Sequence, residues 1–238
     1  MDKKVLTESG ILLVDKPLDW TSHDVVGFIR RFGFKKVGHC GTLDPKATGL
    51  LVVVLGRATK LSEKLTGQQK YYTGTLELGI STDSYDVEGK VISTRPWEAV
   101  SEERIREEFD TYSQITEQIP PMVSAKKVKG KELYKYHREG KEIEREARPV
   151  KIDSLDVLEV ARPRVSFELV CSKGFYVRTL CNDIGETLGC GGHLAGLRRT
   201  RSGRFSIDDA VDIETLRTWR KEHILERMIP LASAVSYI

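Results

Sequence analysis

The longest apolar run in the chain, Leu50 to Leu55, is six residues long and is preceded by a stretch with no periodicity of either kind. A membrane helix needs roughly 20 apolar residues, so this run is strand-sized, and continuous apolarity suits a strand buried on both faces. From Lys35 to Gly49 the chain is punctuated at close intervals by Gly38, Gly41, Pro45 and Gly49, which reads as an ordered loop. That loop, Gly38-His39-Cys40-Gly41-Thr42-Leu43-Asp44-Pro45-Lys46-Ala47-Thr48-Gly49, carries one carboxylate between small residues just before the strand. Pro45 biases Asp44 away from helical angles and would present its side chain from an extended backbone. Asp-Pro also opens ordinary structural turns, so the loop alone leaves both readings open.

Around it, short apolar runs alternate with helical patterns, an α+β or α/β signature. Ile11 to Val14 reads as a buried strand, and Thr21 or Ser22 caps a helix carrying Val25, Val26, Phe28, Ile29 and Phe32 that stops near Gly33. A short helix is predicted over 58–65, a strand over 72–78, and a partner strand over 91–94 after the turn at Glu88-Gly89. An acidic helix over 101–112 precedes Pro120-Pro121 and an irregular basic stretch with a helical piece at 133–138. Strands follow at 150–160 and 165–171, then a helix over about 175–188 with Val177, Leu180, Ile184 and Leu188 on one face. Further short helices are expected beyond Asp208.

The net charge of +3 hides segregation. From Lys126 to Lys151 there are 10 Lys or Arg against 5 Glu, while 102–117 holds 6 acids against Arg104 and Arg106. A polyanion partner and plain solvated helices both fit such runs. Cys40, Cys171, Cys181 and Cys190 form no CxxC pair, and reduced thiols are the default. Cys190-x-x-His193 lacks the second half of a zinc site, so no metal is expected. Nothing near the N-terminus resembles a secretory signal, and a cytoplasmic protein is expected.

The loop resembles the signature of the bacterial tRNA pseudouridine-55 synthases, the TruB family, and further segments resemble that family in the same order. These are Leu12-Leu13-Val14-Asp15-Lys16-Pro17, Lys70-Tyr71-Tyr72 through Leu78-Gly79 to Thr82–Gly89, and Pro120–Lys127 with Gly130–Tyr134. Cys171–Thr179 and Gly189–Arg199 complete the set, so the likeness spans about residues 10 to 205. It implies the pseudouridine synthase fold: an α+β domain on a long, mainly antiparallel mixed sheet flanked by helices. One catalytic domain over 1–238 is expected, with a basic RNA-contacting insertion at about 101–149 and a helical tail at about 206–238.

The implied reaction turns a tRNA T-arm uridine, position 55, into pseudouridine by flipping it from the stack, without a cofactor. Asp44 is the implied essential carboxylate, Arg178 the guanidinium that keeps it ionised, and Tyr72 the aromatic that stacks on the target base. Arg178 read by itself is equally a helix-surface arginine, and Tyr72 a core aromatic. His39 is implied to fill the gap left by the flipped nucleotide. Asp86, Lys16, Tyr176 and Leu197 are implied to line the pocket, with Lys126, Lys127, Lys129, Lys131, Arg198, Arg199 and Arg201 on phosphates. Many members carry a C-terminal PUA domain that does not fit in this length, so either a short form or a truncated chain is expected, acting as a monomer without guide RNA or membrane. The competing readings are a non-catalytic RNA-binding module of the same shape and a hydrolase using Asp44 with a second carboxylate.

Overall fold

Strand β1 (Gly10–Lys16) opens the fold, and the turn after it leads into helix α1 (Ser22–Arg30). Thr21 caps that helix with a complete capping box: its hydroxyl accepts from Asp24 N–H at 3.0 Å, and Asp24 Oδ2 accepts from Thr21 N–H at 2.8 Å. Gly33, at φ +85°, follows the helix end. The short strand β2 (Val37–His39) leads through the Asp44 loop into β3 (Ala47–Leu55), three residues longer at its start than the apolar run predicts. A 3-10 turn at Gly56–Leu61 and helix α2 (Ser62–Thr66) precede strand β4 (Lys70–Leu78). The computed structural model describes residues 8–124, 127–128 and 130–237, and its chain divides into two compact units. One comprises Met1–Tyr72 and Leu197–Ile238, the other Thr73–Gly196.

In the second unit, β5 (Ile80–Thr82) pairs antiparallel with β6 (Val91–Thr94). The sequence pairs 91–94 with the strand ending at Leu78 instead. Gly79, at φ +92°, breaks the extended run, and the separate strand beyond it takes the partner. Helix α3 (Glu102–Tyr112), capped by Ser101, packs Phe109 against Phe167 with ring centroids 5.6 Å apart. After a helix α4 (Leu133–Arg138), strands β7 (Ile152–Ala161) and β8 (Arg164–Cys171) form an antiparallel pair. Val165, Phe167, Leu169 and Cys171 are buried on one face of β8, following the period of two. Helix α5 (Val177–Thr187) then leads to β9 (Gly192–Ser202), an 11-residue strand the sequence does not announce.

Returning to the first unit, β9 runs parallel to β3 with Leu197 opposite Ala47, Arg198 opposite Thr48 and Arg199 opposite Gly49. Short strands β10 (Phe205–Ser206) and β11 (Val211–Asp212) and helices α6 (Ile213–Thr218) and α7 (Lys221–Arg227) follow. Leu50 to Leu55 are fully buried. Alternate residues enter two clusters, Leu51, Val53 and Leu55 with α1, α6 and α7, and Leu50, Val52 and Val54 with Ile11, Leu65 and Phe205. An apolar run of this kind is what a strand covered on both faces requires. The α+β class with a mainly antiparallel mixed sheet and flanking helices is borne out. No helix among the described residues is long and apolar enough to cross a membrane.

Candidate active site

In the first unit, the Asp44 loop is held at almost every residue. Arg199 donates from Nε to Leu50 C=O at 2.7 Å and from Nη2 to Gly41 C=O at 3.0 Å. Ser22 Oγ accepts from Leu43 N–H at 2.9 Å and donates to Leu43 C=O at 3.1 Å. Pro45 C=O accepts from Asp19 N–H at 3.0 Å and from Lys16 Nζ at 3.3 Å, and Asp44 C=O accepts from Ala47 N–H at 3.0 Å. Lys46 Nζ reaches Asp19 Oδ1 at 2.6 Å. Gly41 and Gly49 have φ of +96° and +99°, and a Cβ on Gly49 would lie 2.3 Å from the Arg199 carbonyl oxygen, so only glycine admits β9 this close. Asp44 itself is half-buried on this braced backbone.

Two residues expected on the substrate prove to belong to the brace. Arg199 is 1% exposed with its guanidinium committed to main-chain carbonyls, so it supports the loop and does not meet phosphate. Lys16 is 0% exposed, and its ammonium donates to Pro17, Trp20 and Pro45 carbonyls rather than lining a pocket. Burial lowers its pKa to about 8, with Asp44 and Asp19 opposing that fall. Arg198 makes a bidentate pair with Asp15, at 2.7 and 3.1 Å, and remains half-exposed. Tyr72 is half-buried on β4, and Leu197 is half-buried with its carbonyl accepting from Thr48 Oγ1 at 3.5 Å. Cys40, within the loop, is buried, and that burial pushes its thiol up to about 11, away from the thiolate a nucleophile needs.

His39 packs edge-on against His23, with ring centroids 5.5 Å apart, and its Nδ1 is buried without a hydrogen-bond partner among the described residues. Burial first, then the His23 ring and the Arg199 charge, lower its pKa from 6.5 to about 4. Between those values the unfolded chain binds a proton that the folded chain refuses, so stability falls as pH drops through that window. His39→Gln is expected to flatten this part of the profile. Its melting temperature should decline less than that of the unsubstituted protein between pH 6.5 and 4.5, and parallel declines in thermal unfolding would contradict the assignment.

In the second unit, Arg178 lies in the first turn of α5, where a cation opposes the helix dipole. It is balanced by Asp86: Arg178 Nη1 lies 3.3 Å from Asp86 Oδ2, each side chain 7% exposed. Arg178 also donates to the Val123 carbonyl at 2.9 Å and the Ser84 carbonyl at 3.4 Å. Asp86 accepts from Ser84 Oγ at 2.5 Å and Glu88 N–H at 3.0 Å, in a turn where Tyr85 takes φ +67°. Tyr176 caps α5, and Gln118 grips its peptide group from both sides, accepting from Tyr176 N–H at 2.8 Å and donating to its C=O at 3.1 Å. Ser84 and Val123 lie within the motif segments Thr82–Gly89 and Pro120–Lys127, though nothing in the sequence marks this role for them, and Gln118 lies outside every motif. The Arg178–Asp86 pair was equally illegible, since 92 residues separate the two.

Several cations of the basic arm are held by its own glutamates. Lys131 pairs with Glu139, Lys135 with Glu132 at 2.8 Å, and Lys141 with Glu139 at 3.3 Å. Lys126 and Lys129 lie outside the described residues, and so does the side chain of Lys127. Arg201 stacks over Tyr71 at 4.9 Å. Cys190 and His193 turn to separate backbone carbonyls, of Gly191 and Ile80. Among the described residues, no group of three or more His, Cys, Asp or Glu is placed to hold a metal ion.

Residues 30–177 match a family described as TruB family pseudouridylate synthase (N terminal domain), and residues 178–236 match the tRNA pseudouridylate synthase B C-terminal domain. A protein of Opitutus terrae named tRNA pseudouridine synthase B is 46% identical over 230 residues, covering 96% of this chain and 95% of that protein. One of the same name from Syntrophotalea carbinolica is 45% identical, covering 95% of this chain and 74% of its own. Among solved structures, a chain of a Cbf5-Nop10-Gar1 complex is similar over 100% of this chain, with a TM-score of 0.74 and 27% identity. A chain of an H/ACA RNP bound to a substrate RNA containing 2'-deoxyuridine is similar over 99%, with a TM-score of 0.70 and 25% identity. This chain spans 65% and 63% of the length of those two chains.

Proposed function

The chain belongs to the TruB family of pseudouridylate synthases, and on that premise we propose that it converts one uridine of the tRNA T arm, at position 55, to pseudouridine. The observation that carries this reading is the braced loop: a half-exposed carboxylate whose flanking peptides are fixed from Gly41 to Ala47. The reaction breaks the bond from the ribose carbon to N1, turns the uracil, and joins C5 to the same carbon. Substrate and product are isomers, so no group or electron donor enters the balance.

A carboxylate can serve this exchange by attacking the sugar, attacking the base, or taking a proton from the sugar, and every route needs it ionised. Asp44 is assigned that role. Tyr72 is assigned stacking on the uracil, and His39, neutral at physiological pH, fills the space the nucleotide leaves. The Arg178–Asp86 pair and Tyr176 are assigned to the same function from the second unit, and the two units are taken as one catalytic domain. Leu197 is assigned an apolar contact, and Lys127, Arg198 and Arg201 contacts to phosphate.

The chain is taken to act as a monomer in the cytoplasm, without a guide RNA. Supporting action without a guide RNA, the relatives named tRNA pseudouridine synthase B are 43–48% identical, against 25–27% for the chains from the Cbf5 and H/ACA complexes. A T-arm hairpin, offered in place of whole tRNA, should be converted, with affinity that falls as salt rises. Conversion of the full transcript alone, under conditions where the hairpin stays unmodified, would overturn the expectation that the T arm by itself suffices as substrate.

A further inference from the structure

Helix α1 begins with two hydroxyl residues, and only one of them serves the helix. Thr21 supplies the capping box with Asp24. Ser22, 1% exposed, turns its hydroxyl away to the Leu43 peptide groups, 21 positions along the chain. A single oxygen there receives the Leu43 N–H and donates to the Leu43 C=O. That carbonyl lies in the peptide plane whose other end is the Asp44 nitrogen, and peptide planarity passes the restraint directly to Asp44. On the far side, Pro45 C=O is fixed by Asp19 N–H and Lys16 Nζ. On the near side Arg199 fixes the Gly41 carbonyl, and without the Ser22 hydroxyl the Leu43 amide and carbonyl, in a residue 3% exposed, lose a buried partner next to Asp44.

We infer that Ser22 is a positioning residue for the isomerisation, its hydroxyl fixing the Leu43–Asp44 peptide plane and so the direction in which the carboxylate is presented. The inference rests on the proposed function, because it gives Ser22 a role only if Asp44 does the chemistry. A helix-start role alone is the competing account, and Thr21 provides the control: removing its cap weakens α1 by a comparable amount while leaving the Ser22 hydroxyl in place.

The test compares the unsubstituted protein with Ser22→Ala, Ser22→Cys, Ser22→Thr and Thr21→Ala. Three quantities are read: the single-turnover rate of pseudouridine formation on a tRNA transcript, the dissociation constant of that transcript, and amide hydrogen exchange across residues 41–46. Ser22→Ala and Ser22→Cys should lower the rate by roughly tenfold to a hundredfold, the scale of a small misplacement of a reacting group. Transcript affinity should stay within about threefold, and exchange at the loop should rise. Ser22→Thr, which keeps the hydroxyl, should recover most of the rate, and Thr21→Ala should stay within about twofold of normal. Unchanged loop exchange in Ser22→Ala, or an equal loss of rate in Thr21→Ala, overturns the inference and leaves the proposed function standing. An unsubstituted protein that forms no pseudouridine removes the proposed function, and the inference with it.

Discussion

Asp44→Asn is expected to lower the single-turnover rate of pseudouridine formation by on the order of 10⁴-fold, while RNA affinity changes by less than about threefold. The asparagine side chain has nearly the shape of aspartate, and the bonds that fix the loop come from the main chain of Gly41, Leu43, Asp44 and Pro45. The variant should therefore keep the loop backbone and lose the carboxylate charge, including its support of the Lys16 ammonium. Every proposed route demands an ionised oxygen, so the loss falls on the chemical step rather than on binding. A non-catalytic RNA-binding module would bind its RNA equally well in both forms and show no rate to lose. Rapid-mixing single-turnover assays with parallel filter binding separate the two, and a rate within tenfold of normal would remove Asp44 from its role.

The second large effect is on stability. Arg178→Ala should destabilise the protein by about 3–5 kcal/mol, because Asp86 stays buried after its guanidinium is taken away. For a chain of this size that is a fall in melting temperature of about 6–20 °C. The Val123 and Ser84 carbonyls lose their donor at the same time. Asp86→Asn should also destabilise, since it removes the buried carboxylate that faces the Arg178 guanidinium in the first turn of α5. The double variant Arg178→Met with Asp86→Leu should cost less than the sum of the singles, because neither charge then remains uncompensated. Calorimetry on the four proteins checks this, and a shift of less than 2 °C in Arg178→Ala would show that the pair carries little of the second unit's stability.

What could be read from the sequence divides along the range of the forces involved. Local signals carried well: the helix start at Thr21 or Ser22, the Gly33 stop, the buried run 50–55 and the alternation from Val165 to Cys171 each depend on neighbours a few residues away. The pairing of β6 was misread because a glycine at positive φ, Gly79, ends one strand and starts another, and no period in the sequence marks that break. Strand β9 went unseen for a different reason. Its Arg198, Arg199 and Arg201 look like a surface patch, yet Arg199 is buried because carbonyls of Leu50 and Gly41, about 150 residues away, satisfy its guanidinium. The same long-range compensation hides Lys16, whose three acceptors are main-chain carbonyls. The resemblance therefore placed two buried cations on the substrate. Asp44 was singled out by the family resemblance, since the glycines and proline of its loop left an ordinary turn equally open, whereas the Ser22 hydroxyl that bonds the Leu43 amide and carbonyl sits inside an ordinary helix start.

The central claim is that a base is moved between two bonds to one sugar carbon. Incubating the protein with unmodified tRNA transcript, then mapping pseudouridine chemically and weighing the RNA and the released small molecules, tests it most directly. The account predicts one modified uridine in the T arm, RNA of unchanged mass and no free uracil. Released uracil with an abasic site in the RNA, the signature of a hydrolase, would contradict it.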